Sequence, residues 1–111
     1  MYEYNAICTR VVDGDTIDAR VALGFSVWLD CRIRLEGIAA PETRTKNLSE
    51  KMAGLQTKEI LKAMMEGVGG HFVLRSHGVG KYGRCIGTIY VGGENINERL
   101  LAEGYAKRYG K

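Results

Sequence analysis

The chain has 111 residues, a formal net charge of +3 and an apolar fraction of 45%, enough for one compact domain with one modest core and too little for two. A charge this small does not by itself argue for a nucleic-acid partner. No apolar run is long enough to cross a bilayer. The start Met1-Tyr2-Glu3-Tyr4-Asn5 lacks the basic and apolar regions of a secretory leader, so a cytoplasmic, monomeric protein without membrane attachment is expected. Cys8, Cys31 and Cys85 are widely spaced and lie in strand-like apolar contexts. They read as small buried hydrophobes rather than a disulfide framework or a zinc site.

In chain order, residues 4–12 are rich in β-branched side chains and predict a strand that ends at the Asp13-Gly14 turn. Thr16 to Val21 alternates polar and apolar, and Asp-Gly between two such runs predicts a hairpin. Leu23-Gly24-Phe25 predicts a turn. Val27 to Leu35 has the clearest two-residue period, with 27, 29, 31, 33 and 35 as the inner set and Trp28, Asp30, Arg32 and Arg34 opposite. Pro41, the one proline, holds Ala40 extended, and 43–49 is a polar loop. Ser49 is placed to cap a helix from about 50 to 66, with Glu50 favourable in its first turn. Met52, Leu55, Ile60, Leu61, Met64 and Met65 form its apolar stripe, and Gly67, Gly69 and Gly70 end it. Strands near 71–77 and 85–92 follow. Asn95 caps a short helix over 96–103, which Gly104 ends. Three strands, a helix, two strands and a helix predict a mainly β fold with helices: a five-stranded OB-fold barrel carrying one long and one short helix in a single domain over 1–111.

Three strings carry chemistry. In Asp13-Gly14-Asp15-Thr16, two carboxylates one residue apart end a strand. A hard cation needs several oxygen ligands, although an Asx turn is the commoner meaning of such a string in isolation. In the second, Arg34 and Glu42 flank the bend at Ala39-Ala40-Pro41. A carboxylate beside a phosphate can orient or deprotonate water, and an arginine can grip two phosphate oxygens; a surface ion pair is the plainer alternative. In the third, Lys81-Tyr82-Gly83-Arg84, glycines let the backbone approach a ligand, unless it is a solvated hairpin loop. Basic residues also gather at Arg32/Arg34, Arg44/Lys46 and Lys107/Arg108/Lys111. On one face they would attract phosphate.

Over residues 5–109, the order and spacing of these strings resemble the staphylococcal nuclease family. The resemblance is carried by Val12-Asp13-Gly14-Asp15-Thr16, by Arg34-Leu35-Glu36-Gly37-Ile38-Ala39-Ala40-Pro41-Glu42-Thr43 and by Lys81-Tyr82-Gly83-Arg84. Asn95-Ile96-Asn97-Glu98 and Glu103-Gly104-Tyr105-Ala106 add to it. It implies an OB-fold with helices and calcium-dependent cleavage of DNA and RNA to 3′-phosphate and 5′-hydroxyl ends, on single or double strands. It also implies roles. Asp15 and the Ala40 backbone carbonyl would bind Ca2+, with Asp13 supporting them from behind. Glu42 would activate water. Arg34 and Arg84 would hold the reacting phosphate, Lys81 and Tyr82 the flanking one, and Tyr109 would help form the nucleotide pocket. The chain departs from the family at Ala39, where a metal-binding aspartate is expected, so a weakened nuclease is implied. A non-catalytic nucleic-acid-binding module is the alternative. Gly80 is a lighter departure, and the sequence stops at Lys111, before the third helix of longer members.

Overall fold

The computed structural model describes residues 2–79 and 85–109. The elements are β1 (Glu3–Asp13), β2 (Thr16–Gly24), β3 (Val27–Leu35), β4 (Ile38–Ala39), α1 (Leu48–Glu66), β5 (His71–Val79), β6 (Cys85–Val91), β7 (Glu94–Asn95), α2 (Ile96–Ala102) and β8 (Lys107–Arg108). The Asp-Gly hairpin forms where expected: β1 and β2 pair antiparallel and Asp13 faces Thr16 across the turn. The β2–β3 turn puts Phe25 and Ser26 at φ 55° and 63°, the left-handed pair that a two-residue hairpin of native twist requires.

The sheet runs β3-β2-β1-β5-β6-β7, and β3 returns to pair with β6. That last pairing is parallel and sets Ile33, Arg34 and Leu35 beside Cys85, Ile86 and Gly87. It closes β1, β2, β3, β5 and β6 into the expected five-stranded barrel with two helices. Gly87 lies inside the closure: a Cβ there would meet the Leu74 side chain at 2.5 Å and the Arg75 carbonyl oxygen at 2.8 Å.

Ile17, Ile33, Leu35, Ile38, Leu61, Ile89, Ile96 and Leu100 fill the core and are essentially inaccessible to solvent, each contributing about 1.5–3 kcal/mol by burial. One polar side chain is set among them. Asn97 of α2 accepts from the Ile89 amide at 3.1 Å and donates to the carbonyls of Glu36 at 2.9 Å and Gly87 at 3.2 Å. It thereby pins α2 to the β3–β6 seam. Among the described residues no helix is long and apolar enough to cross a membrane.

Three expectations are corrected. The cap of α1 is Asn47, not Ser49: its Oδ1 accepts from the Glu50 amide at 3.0 Å, and the helix begins at Leu48. The apolar stripe of α1 holds only in its second half. Leu61 and Met65 are buried, but Met52 and Leu55 are exposed, and Gly54 and Thr57 face the barrel instead. The backbone of Pro41 and Glu42 passes so close to Gly54 that a Cβ would lie 2.6 Å from the Pro41 carbonyl oxygen, so no larger side chain fits. In β3, Ile33 and Leu35 are buried as expected, while Val27 and Leu29 are exposed. The strand runs beyond the barrel before its inner face is covered.

Candidate active site

The site gathers where the β1–β2 turn, the end of β3, the bend at Pro41 and the segment after α2 meet. Asp15 sits in the turn. Its Oδ1 accepts from the Thr16 hydroxyl at 3.0 Å and its Oδ2 from the Ala40 amide at 3.0 Å. The Leu35 amide donates to the Asp15 carbonyl at 2.8 Å, which locks the turn to the end of β3. Asp13 turns the other way and accepts from the Thr43 hydroxyl at 2.9 Å. The two aspartates therefore hold the Ala40–Thr43 bend at both ends.

Thr16 lies opposite Arg34 in the β2–β3 register, so Arg34 emerges beside Asp15. The ion pair between Arg34 Nη1 and Asp15 Oδ2 spans 3.7 Å, and both side chains are mostly covered. Nη1 also donates to the carbonyls of Leu35 at 3.2 Å and Ile38 at 2.9 Å. Nε and Nη2 make no hydrogen bond among the described residues, leaving one edge of the guanidinium fork for an incoming anion. The Tyr109 ring lies against Arg34 at 4.8 Å, and the Tyr109 amide is tied to the Gly37 carbonyl at 2.9 Å. A ring at this distance attracts the cation and restricts its swing.

Helix α1 fixes the bend from below. Gly14 and Gly54 are the two points of contact: a Cβ on Gly14 would meet the Thr57 side chain at 2.5 Å and Ala40 Cβ at 2.9 Å. Thr57 donates to the Tyr105 carbonyl at 2.8 Å, joining α1 to the segment that carries Tyr109. The Glu42 amide donates to Glu50 at 3.3 Å, and the Glu42 side chain is exposed.

Asp15, Ala40, Arg34 and Tyr109 are thus brought together, with Asp13 behind them. Lys81, Tyr82 and Arg84 lie outside the described residues. Three participants were not singled out in the sequence. Thr16 and Thr43 stood inside the motif strings; the Thr16 hydroxyl bonds its sequence neighbour Asp15, whereas the Asp13 partner of Thr43 depends on tertiary approach. Gly54 carried no local signal. Lys107, which the sequence offered only as part of a basic cluster, lies on β8 directly opposite Ala39 of β4.

The donor set suits a hard cation in kind, since Asp15 and the nearby backbone offer only oxygen. It falls short in charge. Ala39 supplies no carboxylate, Arg34 offsets that of Asp15, and among the described residues no three acidic, histidine or cysteine side chains converge.

The family described as staphylococcal nuclease homologue matches residues 32–111. Over 78 residues the chain is 37% identical to "Probable staphylococcal-like nuclease CAN1" of Oryza sativa subsp. japonica, covering 70% of this chain and 21% of that protein. It is 33% identical to Endonuclease YhcR of Bacillus subtilis (strain 168), over 96% of this chain and 9% of that protein. Staphylococcal-like nuclease CAN1 of Arabidopsis thaliana is 35% identical over 70% of this chain and 22% of its own length. The chain therefore spans between 9% and 22% of the length of these curated relatives.

Proposed function

We propose that this chain, which belongs to the family of staphylococcal nuclease homologues, hydrolyses phosphodiester bonds of DNA or RNA with calcium, leaving 3′-phosphate and 5′-hydroxyl ends, at a rate reduced by Ala39. The observation that carries this reading is the Arg34 guanidinium. It is braced by two carbonyls and the Tyr109 ring, lies 3.7 Å from Asp15 and has one edge without a hydrogen bond among the described residues. The nuclease names of the relatives support it.

Arg34 would take two phosphate oxygens on that edge, with Arg84 gripping the same group and Lys81 and Tyr82 the next phosphate. Tyr109 would hold the guanidinium in plane and flank the nucleotide. Glu42, exposed and free at its carboxylate, would take a proton from water. The water oxygen bonds to phosphorus as the bond to the 5′ oxygen breaks; phosphate stays on the 3′ side, and Arg84 assists the departing oxygen. Ca2+ would be held by Asp15 and the Ala40 carbonyl with Asp13 behind, and when bound it supplies positive charge at the phosphate. Without an aspartate at 39, water can replace the lost oxygen but not its charge.

A second reading is favoured by one observation. The Asp15 carboxylate is already engaged by Thr16, Ala40 and Arg34, which suits a module that binds nucleic acid without cutting it.

The test is digestion of single-stranded DNA across a calcium titration, for this chain and Ala39→Asp side by side, with EDTA as control and calcium binding measured directly. Calcium should bind the variant about ten-fold more tightly, since one carboxylate is added to the site, and the variant should cut faster. Identical calcium isotherms, or undiminished cutting in EDTA, would overturn the metal assignment. If neither protein cuts and both bind DNA with steep salt dependence, the binding module is the function.

A further inference from the structure

The barrel is closed by one short seam, the parallel pairing of β3 with β6, and each strand carries a cysteine there. The register sets Ile33 opposite Cys85. Cys31 lies two residues before Ile33, on the same face of β3. Opposed residues of paired strands emerge on one face, and the face repeats every second residue. Cys31 and Cys85 therefore share the inner face of the seam. Both pack against the buried core while remaining partly accessible, and the register places them on adjacent paired strands, two residues out of line. Cys8 stands apart. It is on β1, separated from β3 by β2 and from β6 by β5, and it lines a groove with Lys62 and Met65 of α1.

We infer that Cys31 and Cys85 form a dithiol modification site, which an oxidant of the hydroperoxide class converts into an intrachain disulfide across the β3–β6 seam. Cys85 sulfur attacks the peroxide oxygen, the O–O bond breaks and water leaves, giving a sulfenic acid at Cys85. Cys31 sulfur then displaces that oxygen, which departs as a second water carrying the Cys31 proton. Two thiols lose two hydrogens and two electrons in all, and one hydrogen peroxide is reduced to two waters. The order of attack follows from the environment of Cys31. Burial pushes its thiol up to about 12, and the neighbouring Cys85 adds to the effect, so Cys31 holds its proton and acts second. Because the pair is diagonal rather than directly opposed, closing the bond draws the start of β6 toward β3.

The consequence is mechanical. Among the described residues the seam comprises three residue pairs, and the new bond would close a loop of about half the chain, which restricts the unfolded state strongly. Cys85 directly follows Arg84 in the sequence, so the crosslink anchors the strand from which the Lys81–Arg84 string departs. The site rests on the thiols alone and stands whether or not the chain cuts nucleic acid.

The experiment exposes the full chain to hydrogen peroxide, unfolds it in iodoacetamide and maps the cysteines by mass spectrometry without reduction. The expected result is a Cys31–Cys85 crosslinked peptide, alkylation at Cys8 alone, and a Tm raised by on the order of 10 °C that returns with dithiothreitol. Cys8→Ser should behave like the parent, and Cys31→Ser should lose both the crosslink and the shift. Alkylation of all three cysteines after peroxide would overturn the inference. So would a link through Cys8, disulfides only between chains, or over-oxidation of Cys85 without a bond to Cys31.

Discussion

The β2–β3 hairpin has two ends built on one alternation and put to opposite uses. At the barrel end, Thr16 faces Arg34; Ile33 and Leu35 are buried, and the polar groups of Asp15 and Arg34 are tied to neighbours. At the far end, Leu23, Val27 and Leu29 continue the inner face but stand exposed, with Phe25 fully exposed at the turn. Alternation fixes which residues share a face of a strand. Whether that face is covered depends on what else passes over it, and among the described residues β6 pairs only with the last three residues of β3.

The sharpest way to break this comparison is at Arg34. Arg34→Ala should reduce nuclease turnover by about 10²–10³-fold, the cost of removing one preorganised donor from a phosphate site, as followed by the initial rate of oligonucleotide cleavage. Leu29→Ala should leave that rate unchanged. Loss of activity at Leu29 equal to that at Arg34 would show that the far end belongs to the site.

A second pair of substitutions reads coverage itself. Ile33 is 0% exposed and Leu29 44% exposed on the same face of the same strand. Ile33→Ala should cost about 2–5 kcal/mol, and Leu29→Ala less than about 1 kcal/mol, by urea denaturation. Equal costs would mean that the far end is covered in solution.

The smallest effect lies on the outer face between the two ends. The Arg32 guanidinium, bonded to both oxygens of Asp18 at 2.8 and 3.2 Å, holds the Asp18 carboxyl below its ordinary value. A carboxylate lowered by folding contributes stability above its unfolded pKa and loses it as pH falls through the folded one. Asp18→Asn should therefore lower Tm slightly near neutrality, by no more than about 1 kcal/mol in stability for a pair this exposed. The gap to the parent should close in acid. A gap independent of pH would show that the pair contributes through shape and not charge.

Much of the barrel was legible locally. Asp13-Gly14 marked the first hairpin, the glycines after Glu66 the end of α1, and Asn95 the start of α2, whose cap accepts from the Glu98 amide at 3.0 Å. The motif strings singled out Asp15, Ala40 and Arg34, the resemblance added Tyr109, and the chain folds so that the four meet. What misled was periodicity without depth. Met52 and Leu55 have helical spacing and yet face solvent, because the side of α1 turned inward there is that of Gly54 and Thr57, where the Pro41–Glu42 backbone passes. Asn47 rather than Ser49 caps the helix; both residue types can cap, and the choice follows from where the preceding loop delivers the chain.

The sequence by itself determined the order of the main strands and helices and the family, because period, turn chemistry and motif spacing are written within a few residues. Tertiary structure alone decided the parallel β3–β6 closure, the Lys107–Ala39 pairing and the partners of Thr43 and Gly54. It also set Cys31 and Cys85 on one seam. Each of these joins residues far apart in the chain, and contacts of that kind are settled by which surfaces can pack together, which no local pattern encodes.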